Sequence, residues 1–140
     1  MAKFPTNPEV PSTVPDVLAG RKPTESELEI LRVLWSRQPA TVREVYEVLS
    51  KQRPMGYTTV LKTLQIMTDK SLVTREEAGK AHLYKAAMCE ADMQGQLVRD
   101  LSDKLFSGST AKLAMHALGL QSASEEELRL IKALIERKRR

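Results

Sequence analysis

The polar side chains that open the apolar segment after Pro54 have chemistry suited to nucleic acids. Residues 54–64 read PMGYTTVLKTL, and the early polar positions hold hydroxyls and an amine but no acid. A threonine hydroxyl can bond to a base or a phosphate, its methyl group can contact thymine, and a lysine can reach guanine or a phosphate. The residues concerned are Thr58, Thr59, Lys62 and Thr63.

The same stretch has the spacing of an amphipathic helix over about residues 57–70. With successive side chains about 100° apart, the apolar positions cluster on one side and the polar ones lie on or beside the other. The clustered residues are Tyr57, Val60, Leu61, Leu64 and Met67. An α-helix fits the DNA major groove, its N-terminal residues reach base edges, and its free N–H groups favour a phosphate. Tyr57 opens the helix and joins the predicted DNA-binding set.

The charge around this helix agrees with a DNA-facing surface. From Val48 to Thr68 there are three basic residues and no acid, as is expected beside phosphates. Arg43, Lys51 and Arg53 are predicted to contact phosphates. The alternative is a chance absence of acids, with Thr58 only capping a helix.

Two capping boxes predict the helices that must position this segment. Thr24 with Glu27, and Thr41 with Glu44, each place an N-cap hydroxyl three residues before a glutamate. Helical apolar spacing follows both, with Leu28, Leu31, Leu34 and Trp35 in the first and Val42, Val45, Tyr46 and Leu49 in the second.

Two short alternating runs around Gly79 predict a β-hairpin after the third helix. Three helices and a hairpin outline a winged helix-turn-helix, so the fold is predicted to be mainly α. Arg75, Lys80 and His82 on the wing could contact the DNA backbone or minor groove. Glu76 and Glu77 at its tip argue against a wing that grips DNA strongly.

The rest of the chain predicts a helical dimerisation region over 89–140, after a winged-helix domain over 24–88. Helices are expected over 90–106 and 110–118, with a break at 107–109 and an end at Gly119; a capping box at 124–127 begins a last helix. The apolar residues expected between chains are Leu97, Leu101, Leu105, Leu113, Leu128, Ile131 and Leu134. Residues 1–23 hold five of the seven prolines and predict a disordered leader.

Composition narrows the function classes. The 140 residues carry a net charge of +4 and one cysteine, Cys89, which fits a reducing cytoplasm and permits a nucleic-acid partner. His82 and His116 fall in different regions, and no nucleophile motif or phosphate loop accompanies them, so no enzyme, cofactor or metal site is expected. His82 and Cys89 are interpreted as structural. A protein-interaction or RNA-binding winged helix is the alternative function.

Longer motifs resemble the penicillinase repressor family (BlaI, MecI and CopY type). The similarity is collinear over 24–88, where the chain reads EILRVLW, PATVREV and YTTVLKTL, and residues 90–138 are similar to that family's three-helix dimerisation region in length and pattern. The resemblance implies a homodimeric repressor that binds palindromic operator DNA. It also implies relief of repression when a membrane sensor protease cuts the dimerisation region.

The chain departs from the family pattern at two places. Copper-responsive members carry a C-terminal cysteine cluster, whereas this chain has Cys89 alone. Antibiotic-responsive members are cut at an Asn-Phe bond in the helix after the glycine break. By position, that bond corresponds to His116-Ala117 here, which implies a different cleavage specificity or a different signal.

Overall fold

A computed structural model describes residues 22–140; residues 1–21, most of the predicted leader, lie outside the described part. Within the described part, residues 22–97 and residues 98–140 form two compact units. The elements are α1 (Glu25–Ser36), α2 (Val42–Ser50), α3 (Tyr57–Asp69), β1 (Val73–Ala78), β2 (Ala81–Ala86), α4 (Glu90–Leu105), α5 (Thr110–Leu120) and α6 (Glu125–Lys138). The predicted class, mainly α with a winged helix-turn-helix, is confirmed. None of the helices in 22–140 is long and apolar enough to cross a membrane.

The predicted capping boxes are present and begin α1, α2 and α6. In the second, the Thr41 hydroxyl accepts from the Glu44 backbone N–H at 3.1 Å, and the Glu44 carboxylate accepts from the Thr41 N–H at 2.8 Å. Each box satisfies two N–H groups that a helix start leaves without partners. The starts of these helices are therefore fixed locally by the sequence.

The core of the winged-helix unit lies between the three helices and the root of the hairpin. Leu31, Leu34, Leu64 and Met67 are fully buried, and Tyr84 of β2 is 1% exposed. The Trp35 indole N–H donates to the Met88 carbonyl at 2.9 Å. This bond ties α1 to the segment that leads from the hairpin into α4.

The hairpin is a two-stranded antiparallel sheet whose register runs from Val73 opposite Ala86 to Ala78 opposite Ala81. Gly79 has φ +65°, which suits the first position of a two-residue hairpin turn. At its root, Ala40 and Tyr84 exchange two backbone hydrogen bonds of 2.8 and 3.0 Å. The wing is therefore anchored to the loop between α1 and α2.

A buried ion pair joins the beginning of α1 to the end of α3. The Glu27 carboxylate, 5% exposed, accepts from the Thr24 N–H at 2.9 Å and from Lys70 Nζ at 2.7 Å. The same oxygen therefore serves the capping box and the ion pair.

The unit from Val98 onward begins with the end of α4 and turns at Ser107 and Gly108, whose φ angles are +52° and +82°. The backbone N–H groups of Phe106 and Gly108 both donate to the Ser102 carbonyl, each at 2.9 Å. One prediction was wrong: α5 does not end at Gly119 but continues through it to Leu120. Glycine lowers helix stability without preventing helical φ and ψ angles, so Gly119 alone does not end the helix.

Candidate nucleic-acid interface

The outer face of α3 is polar and exposed, as its sequence predicts. Thr58, Thr59 and Lys62 are exposed, whereas Val60 and Leu64 on the opposite face are buried in the core. Burial of the apolar face fixes how α3 is rotated about its axis, so the polar residues must face outward. Ile66, with 52% of its surface exposed, lies outside the core. It gives the polar face one apolar contact point.

Thr63 differs from the other threonines of the predicted set. It is half-buried, and its hydroxyl donates to the Thr59 carbonyl at 2.8 Å. The hydroxyl proton is therefore committed to the helix, and the oxygen is left only as an acceptor. Thr58 and Thr59 retain the wider choice of partners.

The N-terminus of α3 carries no side-chain cap. Its N-cap residue is Gly56, no side-chain hydrogen bond is made there, and the first turn contains no acid. In contrast, α1, α2 and α6 begin with capping boxes and acidic first turns. The free N–H groups at the start of α3 can therefore donate hydrogen bonds to an anion such as a phosphate.

Arg43 of α2 lies at this end of α3. Its guanidinium carbon is 5.2 Å from the centre of the Tyr57 ring, within the range of a cation–π contact. The Tyr46 ring meets the Tyr57 ring edge-on, with centroids 5.7 Å apart and planes at 71°. Arg43 is predicted from the sequence to contact a phosphate. The structure places it beside Tyr57, the first residue of α3. Sequence spacing gave no signal for this arrangement.

Arg53 is engaged with an acid of α1. Its Nη2 and Nε atoms donate to the two Glu29 carboxylate oxygens at 2.7 and 3.2 Å. The Arg53 hydrogen bond holds the pKa of Glu29 below its ordinary value, and the same bond raises the pKa of Arg53. A phosphate would have to share Arg53 with Glu29. Lys51, at the C-terminus of α2, is exposed and has no such competitor among the ion pairs of residues 22–140.

A cavity of about 350 Å³ opens beside the start of α3. Its wall includes Arg53, Gly56, Thr59 and Thr63. The structure therefore brings two predicted base-reading threonines and one predicted phosphate residue to the rim of a single depression.

The predicted wing residues lie on the hairpin as expected. Arg75 and Lys80 are exposed. His82 Nε2 is 3.8 Å from a carboxylate oxygen of Glu77, the residue directly opposite it in the other strand. His82 thus lies beside an acid and is only half-exposed, whereas Lys80 at the turn is exposed.

The predicted dimerisation residues differ in exposure. Leu97 is half-buried and packs against the core of the winged-helix unit. Leu113 and Ile131 are half-buried, and the remainder are exposed in a single chain: Leu101, Leu105, Leu128 and Leu134. His116 and Ala117 are exposed in α5, where the His116 ring lies 5.8 Å from the Phe106 ring. Within residues 22–140, no three His, Cys, Asp or Glu side chains are grouped to hold a metal ion.

The fold and this surface define a winged helix-turn-helix protein whose third helix has no acid in its first turn. A family model described as Penicillinase repressor matches residues 23–137. The transcriptional regulator BlaI of Mycobacterium tuberculosis is 35% identical over 103 residues, which are 72% of this chain and 75% of the relative. The chain belongs to the penicillinase repressor family. It is therefore a transcriptional repressor of the BlaI type, and that family is not enzymatic.

More distant similarities accompany these matches. The penicillinase repressor of Bacillus licheniformis is 23% identical over 113 residues, covering 81% of this chain and 88% of the relative. The solution structure of the DNA-binding domain of the repressor BlaI is 25% identical, with a TM-score of 0.45, and covers 49% of this chain and 84% of that one. MepR, a regulator of a Staphylococcus aureus multidrug efflux pump, is 17% identical, with a TM-score of 0.45, and covers 86% and 81%.

Proposed function

We propose that this chain is a cytoplasmic, homodimeric repressor that binds a palindromic DNA operator, with one α3 in the major groove of each half-site. The observation that carries the proposal is the outer face of α3. It is exposed, lacks acids over its first turn and starts without a side-chain cap. A surface that served only solubility would have no reason to leave α3 without a side-chain cap when α1 and α2 both begin with capping boxes.

Each residue has a defined part in this arrangement. Thr58, Thr59 and Lys62 contact base edges or adjacent phosphates, and Thr63 accepts a hydrogen bond. Arg43 and Lys51 contact phosphates, and Arg53 joins them when it shares its guanidinium with Glu29. Arg75, Lys80 and His82 on the wing meet the neighbouring backbone or minor groove.

In this proposal, a second copy of the chain binds through the apolar residues of 98–140. No residue of α5 or α6 is buried in a single chain, and Leu101, Leu128 and Leu134 are each nearly half-exposed. Apolar faces of this extent are commonly covered by another protein surface. Two heads held on one dimer would bind two half-sites together and gain effective affinity by about 10²-fold or more.

In this proposal, the repressor releases its operator when a membrane sensor protease cuts the chain within 107–118. Ser107 and Gly108 form a turn with positive φ angles, and α5 is 11 residues long without a buried residue. A helix this short depends on outside contacts for its stability, so the exposed His116-Ala117 bond could be presented to a protease by local unfolding.

The binding proposal is tested first by selecting bound duplexes from a randomised DNA pool with the full-length chain. An inverted repeat should be recovered. The variant Thr59→Ala/Lys62→Ala should then bind that repeat more weakly by about 1–3 kcal/mol per lost base contact. Lys104→Ala removes the same charge from an exposed pair in α4 and serves as the control. Salt-independent binding without sequence preference would favour the protein-interaction class, and selective binding of RNA would favour the RNA-binding class.

The release proposal is tested by weighing the protein isolated from induced and uninduced cells. Cleavage should yield a fragment that ends within 107–118 only after induction. Full-length protein in both samples, with repression nonetheless lifted, would exclude proteolysis and point to a small-molecule or redox signal.

A further inference from the structure

Arg43 differs from Arg37 and Arg53 in what its guanidinium contacts. Arg37 is paired with Glu44 at 3.4 Å, and Arg53 is paired with Glu29 at 2.7 Å. Arg43 forms no ion pair with any carboxylate in residues 22–140. Its guanidinium instead lies over the Tyr57 ring. Its charge is therefore ordered by an aromatic face and is not neutralised.

The position of Arg43 in its own helix does not explain its presence. It lies in the first turn of α2, immediately after Val42. The positive end of the helix dipole disfavours a cation there, and the Glu44 carboxylate of that turn is occupied by Thr41 and Arg37. A residue that served only the stability of α2 would more favourably be an acid. The Arg43 side chain instead extends to the start of α3.

The Tyr57 ring is itself held in place. Tyr46 is three residues after Arg43, so both project from the same side of α2. Its ring contacts Tyr57 edge-on, the arrangement that aromatic pairs prefer. Tyr46 is half-buried and packs against the core, whereas Tyr57 is 38% exposed. The order of contacts therefore runs from the core through Tyr46 and Tyr57 to the Arg43 guanidinium.

We propose that Tyr57 is a positioning residue that, supported by Tyr46, orders the Arg43 guanidinium for a DNA phosphate at the N-terminus of α3. This inference rests on the DNA binding proposed above. A free arginine loses rotamer freedom when it binds a phosphate, which weakens the contact. A guanidinium already held over a ring has lost much of that freedom before DNA arrives. The planar side chain of arginine, unlike that of lysine, can keep one face on a ring while its edge donates to a phosphate.

The test uses the full-length chain and a mixed-sequence duplex, because a phosphate contact does not need the operator sequence. Tyr57→Leu removes the ring, and Tyr57→Phe keeps it without the hydroxyl. We expect Tyr57→Leu to weaken binding roughly two- to fivefold, the range of an exposed cation–π contact. Tyr57→Phe, which keeps the ring, should bind the duplex as tightly as the unaltered chain. Arg43→Ala should weaken binding further and reduce the salt slope by about one unit.

The decisive measurement is whether the two residues depend on each other. In an Arg43→Ala background, Tyr57→Leu should cost almost nothing, because there is no guanidinium left to order. An NMR signature gives a second readout without DNA: the Arg43 side-chain protons should lose their ring-current shift in Tyr57→Leu and keep it in Tyr57→Phe. Thermal unfolding of each variant separates this role from a loss of folding.

Three results would overturn the inference. Equal losses from Tyr57→Leu with and without Arg43 would mean that Tyr57 acts on its own. A loss in Tyr57→Phe would mean that its hydroxyl contacts DNA directly. Full duplex affinity in Arg43→Ala would remove Arg43 from the interface while leaving the repressor function intact. If the unaltered chain does not bind duplex DNA at all, the proposed function itself fails.

Discussion

The most buried leucines lie in the first compact unit and the most exposed ones in the second. Leu31, Leu34 and Leu64 of the winged-helix unit have no exposed surface, whereas Leu105 and Leu120 of the second unit are 67% and 71% exposed. Both units contain amphipathic helices with capped starts. The difference teaches that helical pattern alone does not make a core. The first unit closes its core within one chain, and the second leaves apolar faces uncovered.

The largest expected effect comes from a core leucine of the first unit. Leu34→Ala should lower the free energy of unfolding by about 2–5 kcal/mol, because it leaves a cavity in a fully packed site. Urea unfolding followed by Trp35 fluorescence measures this unit, since Trp35 is the only tryptophan in the sequence. Leu120→Ala removes the same atoms from an exposed side chain and should leave this transition unchanged. Similar losses of unfolding free energy in both variants would contradict the difference in packing between the two units.

Next in size is the disruption of the exposed apolar face. Leu101→Asp should yield a monomer of 15.7 kDa in sedimentation at micromolar concentration and reduce operator affinity by about 10²-fold, because each head then binds alone. Gln94→Asp introduces the same charge at an exposed position of the same helix and should leave both properties unchanged. An unaltered chain that sediments as a clean monomer would contradict the dimer.

Smaller effects are expected from equivalent caps in the two units. Thr41→Ala and Ser124→Ala each delete an N-cap hydroxyl bonded to the third residue of its helix. Each should cost about 0.5–2 kcal/mol. The first loss should appear in the Trp35 transition, and the second in the concentration dependence of sedimentation. A loss of head stability from Ser124→Ala would show that the two units do not unfold separately.

The smallest effect concerns pH and the ion pair between α1 and the turn before α3. Arg53 holds the pKa of Glu29 below its ordinary value of 4.5. The stabilisation is therefore present above that value and is lost as the pH falls through the lowered pKa of the folded protein. The stability difference between the unaltered chain and Glu29→Gln should shrink from neutral pH into the acid range. A stability difference that stays constant with pH would show that the charge of Glu29 does not contribute to it.

Sequence reasoning succeeded where the deciding interaction was local. The Thr24, Thr41 and Ser124 boxes each span four residues, and they begin helices at the predicted positions. The rotation of α3 followed from its apolar spacing, so its polar face could be identified. Whether these side chains bind DNA remains a prediction.

Contacts between residues far apart in the chain could not be predicted from the sequence. Arg53 was predicted to be available for phosphate, but its partner Glu29 is 24 residues away. The contact of Arg43 with Tyr57 depends on how α2 packs on α3. The predicted helix end at Gly119 was wrong because a single glycine lowers the stability of a helix but does not determine where the helix ends.

The Glu27 carboxylate has a consequence for the motion of the winged-helix unit. A single oxygen accepts from the backbone of Thr24 and from Lys70, so the first turn of α1 cannot open without also releasing the end of α3. Local opening of the two segments is therefore coupled, and their backbone amides should exchange with deuterium as one group. The first turn of α1 and the end of α3 thus form one cooperative element, although Glu27 and Lys70 are 43 residues apart in the chain.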